Sequence, residues 1–546
     1  MFWLQPNTPD DVFSLITLAD IRHVRNNARE NFIMLFDKVL DRLLALKLQP
    51  DIAKDQNATR QLLNCVRVLT RMIPIAYEQD EQGQSAETQL LWIERKDLVA
   101  ATLDLLFTSG FTVPQATIGE KAQVRYTIWE NGIGQNSSTG SSADHVSRRL
   151  EVMRLLLVLI TKTMYIPPAK LMVAKNLALS HIAYNSDQRL VLAILCSFTN
   201  IALKESPQGW GATYRNSPAA NVLETLSMTS LQSLLVILSY EEQFSIKQQK
   251  QPETAELAPR TSPITDSTST LASEVAKDGG NLQQTSSNSS NIMSDVTKGH
   301  QNLFRVFISK LHRTQDFEYL ITNILRLLDE TMKRNLSILN SIPLQSQRRD
   351  HVCELVMLLW CLMKYNGQLR AYIIDHNSTL KLFTILVYFM LENKDKPAQA
   401  DMIRMITQVL HYILESPQFA TRLAQSFEQS VLPATMRMPE SNVNYGDFLV
   451  SAVYSLMVTT KNIPAPTCIM LLGIVRNSGP YLTQLSAHSS ACLLRLFDVI
   501  SSPAFLIGNP THVQWLITII EALDYIVHFR ATDNPNLIYE MVKSRG

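Results

Sequence analysis

Apolar residues recur every three or four positions along most of this chain. In "ENFIMLFDKVLDRLLAL" the residues Phe32, Leu35, Phe36, Val39, Leu40, Leu43 and Leu44 fall on one face, the spacing of an amphipathic helix. "QLLNCVRVLTRMIP" repeats the pattern with Leu62, Val66, Leu69 and Ile73, and Pro74 is expected to disturb the helix there. "TPDDVFSLI" offers Thr8 as N-cap, Pro9 at the first helical position and acids in the first turn, where the helix dipole favours negative charge. "RKDLVAATLDLLF" follows, then "RRLEVMRLLLVLITKTMYIPP", with Pro167 and Pro168 as its stop, and then "RLVLAILCSFTNIAL" and "ANVLETLSMTSLQSLLVIL". The second half continues with "FEYLITNILRLLDE", "CELVMLLWCLMKYN", "DMIRMITQVLHYIL", "ACLLRLFDVI" and "WLITIIEALDYIVHF". "QVRYTIW" passes as one short strand, but it has no sheet to join. The pattern predicts an all-α chain.

At 546 residues the chain has room for several cores of ordinary domain size. Helices in such numbers, joined by short polar turns, predict an armadillo/HEAT-like α-solenoid in which each helix pair packs on its neighbours. No strict period shows, so the helical repeats are degenerate. One break is plain. From Ser245 to Leu303 there is not a single aromatic residue, and Ser, Thr, Gln and Asn crowd the segment. That composition cannot bury enough apolar surface to offset the entropy of ordering, so a disordered linker is expected over 244–301. It separates an N-terminal helical block, 1–243, from a C-terminal one, 302–546. Ser262, followed by Pro263, is a candidate phosphorylation site for a proline-directed kinase.

Hydrophobic residues make up 46% and charged ones 18%, and 50 Lys and Arg stand against 49 acidic residues. That balance gives no overall electrostatic reason to expect nucleic acid or a strongly anionic membrane as the main ligand. The six cysteines (Cys65, Cys196, Cys353, Cys361, Cys468, Cys492) show neither Cys-x-x-Cys nor histidines at zinc spacing. They read as reduced core thiols, with no metal or cofactor expected. The opening "MFWLQPNTPDD" lacks a basic n-region and an apolar h-region. The longest apolar runs, such as "LFTILVYFML", fall short of the about 20 residues that span a bilayer. A soluble chain is expected.

The one stretch that invites an enzymatic reading is "YTIWENGIGQNSSTG". A dinucleotide loop needs Gly-x-Gly-x-x-Gly between a strand and a helix. Here the third glycine, Gly140, comes too late, and no Gly-Lys-Ser/Thr follows. There is no Gly-x-Ser-x-Gly elbow. His351 and Glu354 in "HVCEL" read as a polar pair at a helix entry. "HRTQD" (His312 to Asp316) shares only its first letters with a kinase catalytic loop and reads as an exposed turn. His411 and His528 lie in apolar helical patterns and read as core or boundary residues. Trp360, Tyr365 and Trp515 sit at core spacing. "SRRLEVMR" (Arg148, Arg149, Arg154) reads as a solvated helix start, the alternative being a small patch for anionic lipid or an acidic partner. No catalytic residue and no small-molecule substrate is expected.

Seven blocks in order carry a resemblance: "DVFSLITLADIRHVR", "LLNCVRVLTRMIPIAYE", "YTIWENGIG", "LLLVLITKTMYIPPA", "NLFRVFISKLHRTQDFEYLI", "ELVMLLWCLMKYN" and "NLIYEMVKSRG". They resemble the high-temperature-induced dauer-formation (Hid) family, a group related to dymeclin. The resemblance makes "YTIWENGIG" a structural turn, with Trp129 packed and with Gly132 and Gly134 allowing conformations other residues resist. It implies a non-enzymatic peripheral protein on the cytosolic face of the Golgi, acting in protein sorting and secretory cargo-carrier formation at the trans-Golgi. The partners it implies are other proteins of the Golgi trafficking machinery and the Golgi membrane. Members typically begin Met-Gly and are expected to be N-myristoylated, whereas this chain begins Met1-Phe2 and ends at Gly546. It is therefore expected to lack the family's N-terminal Met-Gly segment and its C-terminal region. The alternative is a soluble armadillo-type adaptor of a transport or ubiquitin pathway in cytosol or nucleus. Trp92, Trp129 and Trp210 lie near helix ends or in loops and are the candidate partner contacts, Trp210 foremost because glycines flank it.

Overall fold

The computed structural model describes residues 17–49, 52–78, 97–115, 126–171, 175–204, 218–241, 301–339, 351–460 and 463–544, together with positions 11, 14, 15 and 124. Shorter turns aside, its helices are α1 (Leu18–Asn27), α2 (Arg29–Lys47), α3 (Gln56–Tyr77), α4 (Asp97–Leu105), α5 (Ala143–Ile160), α6 (Leu177–Tyr184), α7 (Gln188–Ala202) and α8 (Pro218–Ser239). Then come α9 (Leu303–Ser309), α10 (Thr314–Leu339), α11 (Val352–Tyr365), α12 (Gly367–Asp375), α13 (Thr379–Asn393) and α14 (Ala400–Leu414). The last are α15 (Tyr445–Thr459), α16 (Ala465–Ser478), α17 (Ala487–Ser501), α18 (His512–Arg530) and α19 (Pro535–Lys543). Among the described residues there is no strand. "QVRYTIW" contributes only an isolated bridge from Val124 to Thr108. The linker expected at 244–301, with Ser262, lies outside the described residues, as do Thr8 and Pro9.

The helices stack in two rows. In one, α3 packs on α5, α5 on α8, α8 on α11, α11 on α14, α14 on α16 and α16 on α18. In the other, α10 packs on α13, α13 on α15, α15 on α17 and α17 on α19. The rows meet where chain neighbours pair: α7 with α8, α10 with α11, α13 with α14, α15 with α16 and α17 with α18. This is the all-α, solenoid-like packing of consecutive helices that the periodicity predicts. The core is a continuous apolar seam between the rows, running from Phe36 and Leu69 through Leu156, Leu234, Leu359 and Phe383 to Ile474 and Ile519.

Two sequence expectations need correcting. Helix α3 does not break at Pro74 but runs on to Tyr77, because its end is held from outside. Arg25, buried in α1, donates to the Ile75 carbonyl at 2.7 Å and to that of Glu78 at 3.2 Å. Helix α5 ends at Ile160, ahead of the prolines, where Thr161 Oγ1 donates back to the Leu157 carbonyl at 2.8 Å. In addition, among the described residues one helix, Pro218–Ser239, is long and apolar enough to cross a membrane by length and composition. A search for apolar runs misses it because Glu224 and several Ser, Thr and Gln residues interrupt it. Here it packs as α8 against α5, α7 and α11, burying Leu226, Leu231, Leu234 and Leu238.

Stacking helix ends inside a solenoid leaves backbone groups that water cannot reach. A buried asparagine answers this repeatedly. Asn366 Oδ1 accepts from Leu369 N at 2.8 Å, capping α12, while its Nδ2 donates to Ile308 and Leu311 carbonyls at 2.7 and 2.8 Å past the end of α9. Asn302 caps α9 through Phe304 N at 3.1 Å and reaches Ile237 and Tyr240 carbonyls at the end of α8, at 2.8 and 3.3 Å. Asn176 joins α6 to the end of α5, and Asn444 joins α15 to the segment before α17, in the same two-ended way. Asn534 ties Leu482 and Arg530 carbonyls while accepting from Leu485 N. Each amide uses its acceptor on one element and its donors on another, which neither Asp nor Ala can do.

Replacing Asn366 by Ala strands two buried carbonyls and a helix-start N–H. The expected loss is about 2–4 kcal/mol, read as a lower urea midpoint, with Asn366→Asp not restoring it because a carboxylate cannot donate. Burial pushes the Cys65 and Cys196 thiols up to about 12 and those of Cys361, Cys468 and Cys492 to about 11. Cys353 alone of the six is exposed. A thiol reagent at pH 8 is therefore expected to modify Cys353 first in the folded chain, and the other five only on unfolding.

Candidate functional site

The turn over residues 126–140 is folded inward, between α5, α7 and the start of α10. Trp129 is fully buried, its ring 5.8 Å from that of Phe107 and 5.6 Å from that of Phe198. The Trp129 backbone N–H donates to Ser197 Oγ on α7 at 3.2 Å. Asn200, one helical turn further along α7 and fully buried, does most of the fastening. Its Oδ1 accepts from Ile133 N at 2.8 Å, and its Nδ2 donates to Glu130 and Ile133 carbonyls at 3.0 and 3.1 Å. Gly132 takes φ +143° and Gly134 φ +78°. A Cβ on Gly132 would stand 2.5 Å from Asn200 Oδ1 and 2.7 Å from Tyr319 Cζ, so both the backbone angle and the space require glycine.

Arg149 on α5 lies over the Trp129 ring, 4.7 Å from its centroid. Its Nε donates to the Thr112 carbonyl and one Nη to Ser141 Oγ, both at 2.7 Å. Burial pushes its pKa down to about 10, opposed by the Glu130 carboxylate, so the guanidinium stays charged at neutral pH. A desolvated cation on an indole face is worth about 2 kcal/mol. Glu130, also buried, pairs with Lys204 Nζ at 2.9 Å and accepts from Ser138 Oγ at 3.1 Å. The solvated helix start expected of "SRRLEVMR" is thus corrected at its centre. Arg149 is fully enclosed because the inward-folded turn covers the face of α5 on which it stands.

The turn also reaches the second half of the chain. Gly134 N donates to Asp316 Oδ1 at 3.4 Å, Asp316 is held by Arg313 at 2.8 Å, and Tyr319 OH donates to the Asn200 carbonyl at 3.4 Å. Asp316, expected in an exposed turn, is buried in the first turn of α10, whereas His312 and Arg313 are exposed as expected. A phosphate cradle needs free N–H groups. Those of Trp129, Gly132, Ile133 and Gly134 are bound to Ser197, Gln135, Asn200 and Asp316, the last a carboxylate that repels an anion. The arrangement is a clasp between two halves of a solenoid, not a ligand loop.

Trp129 is packed inside the clasp and is too enclosed to meet a partner. Trp92, Trp210 and Ser262 lie outside the described residues. Trp515 is buried and Trp360 half-buried, with Lys364 Nζ 4.5 Å over the Trp360 ring. His351 precedes α11, and Glu354 in its first turn accepts from Gln232 of α8 at 3.4 Å. His528 is exposed on α18, while His411 is half-buried. Among the described residues no three His, Cys, Asp or Glu side chains gather as a metal site. Sequence reading missed Ser197, Asn200 and Asp316, which carry no motif. The only signal they offer is a polar residue at a core position of an otherwise apolar helix.

Gly132→Ala is expected to cost about 3 kcal/mol or more, combining backbone strain with a clash against a hydrogen-bonded amide. Gly140 has φ +70° with nothing within 4 Å of a Cβ. Gly140→Ala is expected to cost only about 1 kcal/mol, from the backbone alone. Melting temperatures of the two variants check the difference.

The chain matches the family described as High-temperature-induced dauer-formation protein, Hid1, over residues 1–99, 96–278 and 259–546. It is 26% identical to a Hid-1 family protein of Schizosaccharomyces pombe, covering 98% of this chain and 63% of that protein. It is 23% identical to Protein HID1 of Homo sapiens, covering 100% of this chain and 67% of that protein. A second Schizosaccharomyces pombe relative, the Ubp5-interacting protein ftp105, is 23% identical over 82% of this chain and 44% of its own length. The chain thus spans about two thirds of the length of the first two relatives. No solved structure matches it. With family blocks matched from one end to the other and the Trp-Gly turn explained as the clasp between its halves, the chain belongs to the Hid1 family.

Proposed function

We propose that the chain is a non-enzymatic helical scaffold, acting on the cytosolic face of the Golgi in protein sorting and cargo-carrier formation through contacts with other proteins. The observation that carries this reading is the family match along the whole chain. Its physical support is the two-row solenoid, which offers a long helical surface on which extended partners can lie. A relative named for an interaction with Ubp5 gives partner binding a precedent within the family. The clasp fits the same reading, since the backbone N–H groups of Trp129, Gly132, Ile133 and Gly134 are consumed in fastening helices.

The relative's name favours a second reading almost equally: a soluble adaptor of a transport or ubiquitin pathway, working in cytosol or nucleus. The two differ in address. The chain carrying a C-terminal fluorescent tag, imaged beside a trans-Golgi marker, is expected to coincide with it, and a form extended by a Met-Gly family N-terminus is expected to do so more strongly. Diffuse cytosolic or nuclear signal from both forms overturns the Golgi scaffold and leaves the adaptor.

A further inference from the structure

Helices α5 and α6 are joined by an exposed knuckle built on two tight turns, Lys162–Tyr165 and Pro168–Lys170. Tyr165 anchors it, its ring 5.7 Å from that of Tyr77 at the end of α3, and Lys162 Nζ donates to the Lys175 carbonyl at 3.3 Å, tying its two limbs together. The apolar residues at its tip face outward. Met164 is 80% exposed and Leu171 40%, and every residue from 167 to 171 is exposed. Along the chain on either side of them the charge has one sign. From Val152 to Ser186 the sequence holds no Asp or Glu, while Arg154, Lys162, Lys170 and Lys175 all fall within it. Among the described residues the acid that acts on the anchor is Glu78, which is taken up by Arg22 at 2.7 Å and Arg25 at 3.6 Å.

We propose that this knuckle docks on an anionic lipid surface, with Met164 and Leu171 entering the headgroup–acyl boundary and Lys162, Lys170 and Lys175 lying among the headgroups. An acidic peptide would satisfy the lysines but not the apolar tip, because a peptide's side chains need a groove and these apolar residues project as exposed side chains. A bilayer answers both, since shallow apolar insertion and electrostatic attraction reinforce each other where neither suffices alone. Three lysines fall below the four to eight of a purely electrostatic patch, which makes the apolar residues essential. The inference deepens the membrane part of the function proposed above and rests on that reading.

The test is cosedimentation of the full chain with phosphatidylcholine vesicles containing about 30% phosphatidylserine, against phosphatidylcholine alone. Binding is expected only to the anionic vesicles and is expected to weaken with added salt. The double variant M164D/L171D and the double variant K170E/K175E are each expected to bind roughly tenfold more weakly or worse, with unchanged melting temperature because these positions are exposed. In a second measurement, a bimane label on M164C in a C353S background is expected to shift to the blue on anionic vesicles. Wild-type protein left in the supernatant, variants that sediment like wild type, or a label that stays in water would each overturn the proposal. Vesicle binding through the knuckle by a chain that is diffuse in cells upholds this inference while the Golgi reading fails. Golgi localisation that survives M164D/L171D, with no vesicle binding, does the reverse.

Discussion

A solenoid has to end many helices next to others, and the backbone groups at those ends are the constraint on which this structure depends. Each α-helix leaves unpaired N–H groups at its start and unpaired carbonyls at its end. In a small globular domain most of these face water. Here they meet in the seam between rows, where an unsatisfied group costs about 1–3 kcal/mol. Asn176, Asn302 and Asn366 resolve the conflict alike, accepting from a helix start and donating to the end of an earlier element, and Asn444 does so toward the segment before α17. Apolar burial supplies the drive for stacking, but it is non-directional. The asparagine bridges fix which helix end sits on which.

The clasp at Trp129 is the same device made larger. Asn200 again uses both ends of its amide, but its partner is a folded-in turn instead of a helix end. Because that turn also touches Asp316 and Tyr319, one buried cluster draws together α5, α7 and α10, elements that the long segment 242–300 separates in sequence. The buried charge of Arg149 is tolerated because it has an indole face and two hydrogen bonds.

This arrangement bears on function through what it leaves over. Polar groups at the one glycine-rich stretch are consumed internally, so its apparent kinship with nucleotide loops dissolves once the hydrogen bonds are counted. The surface features with unmet chemistry lie elsewhere, at the Met164 knuckle on one edge and on the outer faces of the helices. Rigidity of the seam and variety of the surface are separable properties, and the bridges secure the first without constraining the second.

Helix content was legible from the chain alone. The three-and-four spacing of Phe32 to Leu44 and its counterparts is enforced by local geometry, which does not wait for tertiary contacts. The order of the blocks carried the family, and the late position of Gly140 argued against a nucleotide loop. Helix ends and the fate of individual polar residues were not legible. Arg25 lets α3 run past Pro74, and Asn200 holds a turn some 70 positions away. The reading of Arg149 as solvated and of Asp316 as exposed failed for the same reason. A charged residue at a helix start looks identical in sequence whether water or a folded-in loop lies over it. Hydrophobic periodicity is written into neighbouring residues, whereas the partner of a buried polar group is chosen by which distant segments the packed rows bring within hydrogen-bond reach.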